Sequence, residues 1–166
     1  VLAADPPRAR PALVRVPGGG RLLVQGAGGT WVVAPDGSRR RIGAYDGASW
    51  SPNARFVVAW RGGTVSALED DGDVRWSLSR PQPVTAARWG PVDGFRVAYV
   101  AGTELRVVNG DGTGDHALAS AAAGVAPAWR PGASRLLAFA DGNGLVQMVQ
   151  VDARRLLWRV ATPGAP

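Results

Sequence analysis

No feature of the chain constrains its fold more than a repeat of 35 to 40 residues. Trp50-Ser51-Pro52, Trp89-Gly90-Pro91 and Trp129-Arg130-Pro131 place one W-x-P motif at successive intervals of 39 and 40 residues. Nine and ten positions after each Trp stand Ala and an aromatic residue, as Ala59-Trp60, Ala98-Tyr99 and Ala138-Phe139. Farther along, an acidic turn signal recurs as Asp71-Gly72, Asp111-Gly112 and Asp152-Ala153. A more degenerate copy precedes these three, with Arg15-Val16-Pro17 in place of W-x-P and Asp36-Gly37 as its turn.

Each of the four units divides into four short strands between Gly, Asn, Asp and Pro signals, the residues that tight hairpins accept. The predicted strands are Ala12–Val16, Arg21–Gln25, Trp31–Ala34 and Arg39–Ile42, then Ala48–Ser51, Arg55–Trp60, Thr64–Glu69 and Asp73–Leu78. The third unit follows as Val84–Trp89, Phe95–Val100, Glu104–Val108 and Asp115–Ala119, and the fourth as Val125–Arg130, Arg135–Ala140, Leu145–Val151 and Arg155–Val160. A small four-stranded meander cannot bury both faces alone, so such units stack radially as the blades of a β-propeller. The predicted fold is all-β, with four four-stranded antiparallel blades at about 12–43, 46–79, 84–120 and 125–160, flanked by a linker over 1–11 and a tail over 161–166. Trp50, Trp89, Trp129, Trp60, Tyr99 and Phe139 are the repeat anchors and are expected to fill the space between blades.

Composition agrees. Lys is absent and Glu occurs twice, so the residues that surface long helices are nearly missing, whereas Val occurs 21 times and Trp seven. With no Cys there is no disulfide, thiolate nucleophile or Cys-based metal site, and with no Lys no Schiff base or phosphate-loop lysine. One His, at 116, cannot supply a common catalytic zinc site, and neither cofactor nor metal is expected. Nineteen arginines against 13 acids give a net charge of +6, compatible with an anionic partner without requiring one.

The W-x-P turn, the strand ending in Ala-aromatic and the Asp-Gly turn before the outer strand resemble the W-S-P-D-G pattern of TolB-type, WD40-like propeller repeats. Trp50-Ser51-Pro52-Asn53 is the closest match, and the resemblance spans residues 12–160. It implies a propeller, an interaction module by role, and an extracytoplasmic setting such as the sensor portion of a membrane-tethered regulator. The Asp-Gly of the motif is eroded to Asn53-Ala54, Val92-Asp93-Gly94 and Gly132-Ala133, and such propellers have about six to eight blades, not four.

Four blades at about 45° apiece cover half a circle and leave two blade faces bare. Three closures follow: half of an eight-bladed homodimeric ring, a steeper four-bladed ring, or a piece lacking its remaining blades. Arg39, Arg40, Arg41, Arg154, Arg155 and Arg159 begin the outer strands of the first and last blades and are candidates to line a joint between copies, opposite acids such as Asp5 or Asp152. A charged, guarded sheet edge explains the same arginines.

Other chemistry is thin. Asn109–Asp115 alternates oxygen donors and glycines like a calcium loop, yet its Asp111-Gly112 belongs to the shared turn column. His116 beside Asp115 suggests part of a triad with Ser120 or Thr113, without the surrounding motif of a nucleophile elbow. A propeller enzyme acting on glycans or small anions would need acids at the channel mouth, where Asp46 and Asp93 are the entrants. The arginines are not interleaved with exposed aromatics, so nucleic acid is not an expected partner. No run of 18 apolar residues predicts a membrane span.

Overall fold

The computed structural model describes residues 19–161, and every regular element among them is a strand. The expected strand Ala12–Val16, the linker over 1–11 and residues 162–166 lie outside the described residues. Blade I contains β1 (Leu22–Gly26), β2 (Gly29–Val33) and β3 (Arg39–Gly43). Blade II contains β4 (Gly47–Trp50), β5 (Phe56–Arg61), β6 (Thr64–Glu69) and β7 (Val74–Ser79). In blade III the strands are β8 (Val84–Trp89), β9 (Arg96–Ala101), β10 (Glu104–Asn109) and β11 (His116–Ser120). Blade IV has β12 (Ala128–Arg130), β13 (Ala133–Ala140), β14 (Leu145–Gln150) and β15 (Arg155–Ala161). Ala161, assigned to the tail by sequence, closes β15.

Every blade is an antiparallel meander with strands in chain order. The first strands β4, β8 and β12 approach one another and form the inner edge. Local chemistry fixes the hairpins. In blade II the two-residue loop Gly62-Gly63 joins β5 to β6, and in blade III Gly102-Thr103 joins β9 to β10, with Gly62 and Gly102 at φ 52° and 59°. The Trp50-Ser51-Pro52 turn closes on itself because Ser51 Oγ donates to Asn53 Oδ1 (2.7 Å) and accepts from Phe56 N (3.0 Å).

Side chains alternate between two faces of each blade, one trailing toward the preceding blade and one leading toward the next. Between I and II, Val32 and Ile42 meet Val57, Ala59 and Leu68. Between II and III, Val58, Trp60, Val65 and Ala67 meet Val97, Tyr99 and Val108. Between III and IV, Ala98, Val100, Leu105 and Val107 meet Leu137, Phe139 and Val149. The W-x-P tryptophans all trail: Trp50 packs into the first seam, Trp89 into the second and Trp129 into the third.

One column departs from the sequence alignment. Trp50 pairs with Val57, whereas Trp89 pairs with Val97 and Trp129 with Leu137, so the turn after Trp50 is one residue shorter. The counterpart of Tyr99 and Phe139 is therefore Ala59, and Trp60 takes the place of Val100. A one-residue offset in a strand moves a side chain to the opposite face. Trp60 and Tyr99 accordingly enter the same seam from opposite sides.

Candidate interaction surface

The seam between blades II and III holds a closed polar network as well as apolar filler. Tyr99 is fully buried and donates its hydroxyl to Asp115 Oδ1 at 2.6 Å, while Arg80, at the end of blade II, donates Nε to the same hydroxyl at 2.8 Å. Arg80 and Arg106 both pair with Asp115, the latter at 2.7 Å, and Arg106 also reaches Glu104 at 2.9 Å. Two guanidinium groups on one carboxylate leave Asp115 no role as a free acid or base, and the network works as a staple across blades.

The turns before the outer strands share a second device, an Asp carboxylate that accepts from the backbone two residues on in blades I, II and III. In blade III, Gly112 N donates to Asn109 O, and Asp111 Oδ1 accepts from Thr113 N and Oγ1 at 2.9 and 2.7 Å. In blade I, Gly37 N donates to Ala34 O, and Asp36 Oδ1 accepts from Ser38 N and Oγ at the same 2.9 and 2.7 Å. Those bonds hold the Asp36 and Asp111 carboxyls below the usual carboxylate value. Each such turn in blades II to IV receives groups from the blade before it. Arg21 of blade I pairs with Asp70, Arg96 of blade III pairs with Asp152 at 2.5 Å, and Trp76 of blade II donates Nε1 to Gly110 O at 2.8 Å.

The two ends of the arc carry apolar columns without a neighbouring blade among the described residues. On blade I the trailing face presents Leu22, Val24, Trp31 and Val33, and Leu22 and Val24 are 49% and 41% exposed. Their counterparts in blade II, Val57 and Ala59, are 0% exposed. Val24, Gly26, Trp31, Val33 and Arg39 line a hollow of about 520 Å³ there. On blade IV the leading face presents Leu136, Ala138, Val146, Met148, Trp158 and Val160, none of them buried, with Trp158 43% and Val160 55% exposed. Exposed apolar faces of this kind mark interaction surfaces.

The six candidate arginines do not form one row, because alternation splits them. By register, Arg39 and Arg41 stand on the bare face of blade I opposite Val33 and Trp31, while Arg40 faces blade II and lines a cleft with Asp70 and Asp71. Arg155 stands on the bare side of blade IV opposite Gln150, Arg159 is turned toward blade III, and Arg154 sits in the turn at φ 48°. The proposed opposing acid Asp152 is held by Arg96 and Arg135, and Asp5 lies outside the described residues. The arginines therefore do not meet Asp152 at the ends of the arc, which are apolar with Arg39, Arg41 and Arg155 beside them.

The remaining candidates are not brought together. His116 Nδ1 faces Gly114 O at 2.8 Å while Asp115 is held by the two arginines, and Ser120 Oγ donates to Thr103 O at 3.4 Å. Asp46 precedes the inner strand of blade II and accepts from Gly62 N at 2.7 Å, whereas Asp93 follows the inner strand of blade III. Those two acids stand at opposite ends of their blades. Among the described residues, no three His, Cys, Asp or Glu side chains group to hold a metal, and no helix is long and apolar enough to cross a membrane.

No protein-family model matches the chain, and no curated protein matches it in sequence. Its architecture is shared by many solved structures. One is the β-propeller domain of Cps50 (Swd1) from Myceliophteria thermophila, which superposes with a TM-score of 0.66 at 15% identity over 82% of this chain. The matched part is 50% of that domain, so the chain spans about half its length. The fold is that of β-propeller blades, four of them in an open arc.

Proposed function

We propose that this chain is a non-enzymatic β-propeller module for binding protein or another ligand, whose arc is completed to an eight-bladed ring by a second copy of itself. The observation that carries this reading is the pair of end faces left uncovered among the described residues, where Leu22, Val24, Val146 and Met148 stand in columns that are buried in every internal seam. Burying apolar area at about 25 cal/mol per Å² drives blade stacking, and the same driving force acts on the two ends. A trailing face at one end and a leading face at the other suit a two-fold ring, since each copy offers what the other lacks. The W-S-P-N turn supports placing the repeats with the TolB type, and with them an extracytoplasmic setting.

Light scattering over a concentration series tests the assembly. A particle near twice the chain mass of 17.2 kDa is the expected result. A mass that stays at one chain overturns closure by a second copy and assigns the end faces to blades of a longer chain.

A further inference from the structure

Trp158 is the one large aromatic at the bare end of blade IV, and the repeat supplies its binding partner. Trp76 and Trp158 occupy one structural position: Trp76 pairs with Ala67 and Trp158 with Met148, each the fourth residue of its strand and each beside the bulge in the outer pair. Trp76 is engaged by the next blade. Its Nε1 donates to Gly110 O at 2.8 Å, and its ring covers Gly112 so closely that a Cβ there would lie 2.7 Å from the indole. At the same register position in blade I, Arg40 lines the cleft with Asp70 and Asp71 of the blade II turn. In blades I and II this position reaches onto the following turn, whereas in blade III its occupant His116 faces Gly114 O of its own blade; Trp158 has no blade to reach among the described residues.

The turn that matches Gly110-Asp111-Gly112 at the other end of the chain is Pro35-Asp36-Gly37. It has the same backbone bond to the residue before it, the same carboxylate bonds, and φ 86° at Gly37 against 87° at Gly112. Pro35, Asp36 and Gly37 are all exposed. We infer that Trp158 of one copy seats over Gly37 of a second copy and donates Nε1 to the Pro35 carbonyl, as Trp76 does to the next blade within the chain. The occupant of the bare end of blade IV is thus the first blade of another copy, docked by this turn. This inference rests on the proposed closure by a second copy. It adds the residues that make the joint, and it needs no charge pair across it.

The experiment compares wild type, Trp158→Ala, Trp158→Phe and Gly37→Val by analytical ultracentrifugation. A buried Trp anchor is worth roughly thirtyfold in affinity, and a two-fold ring contains the joint twice, so Trp158→Ala should weaken dimerisation by roughly a thousandfold. Trp158→Phe keeps the ring and loses the N–H, and should weaken it by an intermediate factor. Gly37→Val places branched bulk where the indole sits and should behave like Trp158→Ala. Mixing Trp158→Ala with Gly37→Val restores one intact joint per pair and should return a measurable heterodimer, which also shows that both variants are folded. Dimerisation of Trp158→Ala as tight as wild type overturns this joint while leaving the second-copy reading in place. A monomeric wild type overturns both.

Discussion

The seam between blades II and III and the two ends of the arc share apolar residue columns that are covered in the seam and exposed at the ends. Tyr99 is fully buried in the seam, and Val24, its counterpart in blade I, is 41% exposed. Trp76 donates to Gly110 O, and Trp158, its counterpart in blade IV, is 43% exposed. The difference teaches that each blade is made to be covered on both sides. A blade specialised to end the array would carry polar residues in those columns, and blades I and IV keep the apolar ones.

Substitutions in matched columns test that comparison, and truncation at the seam should have the largest effect. Tyr99→Ala opens a cavity and strips a partner from Asp115 and Arg80, with an expected loss of about 3–5 kcal/mol, whereas Val24→Ala should change stability by less than about 0.5 kcal/mol in the monomer. Urea unfolding of both variants reads the contrast, and equal losses would break the equivalence of seam and end. Asp115→Ala follows, at about 3 kcal/mol, because it leaves Arg80 and Arg106 facing each other without their carboxylate.

Smaller effects sharpen the same contrast. Gly112→Ala combines a left-handed φ with crowding against Trp76 and should cost about 2 kcal/mol, while the left-handed φ at Gly37 puts the strain of Gly37→Ala at about 1 kcal/mol. Trp76→Phe removes one hydrogen bond to Gly110 and should cost about 1 kcal/mol by thermal unfolding. Trp158→Phe should leave the monomer unchanged.

The smallest effect should be the same at both places. Asp36 and Asp111 are held below the usual carboxylate value of 3.8, first by the side-chain hydrogen bonds from Ser38 and Thr113. Each therefore adds stability that is present above that value and lost as pH falls through the lower folded value. Asp36→Asn and Asp111→Asn should flatten the acid limb of the pH–stability curve equally, because the carboxylate bonds are made within the turn itself.

Much of this architecture was legible in the sequence because hairpin chemistry is local. Asp36-Gly37, Asp71-Gly72 and Asp111-Gly112 mark turns through their own side chains and glycines, and the strands between them begin and end within a few residues of expectation. Counting failed where a single residue was gained or lost. The shorter turn after Trp50 moved Trp60 out of the aromatic column. Likewise Trp76 stands five residues after Asp71 but Trp158 stands six after Asp152, so the outer-strand column hid the match that the bulged pairing reveals. The six arginines share the starts of the outer strands of the first and last blades, and period-two alternation separates them onto different faces.

The sequence by itself determined the repeat, the four-blade count, the all-β class and the turn positions, because these depend on residues close together along the chain. The tertiary structure decided which face each side chain serves, that Asp115 is held by Arg80 and Arg106, and that apolar residues are left uncovered at both ends. Those outcomes depend on strand register and on which blade stands beside which, and a one-residue change in register reverses them.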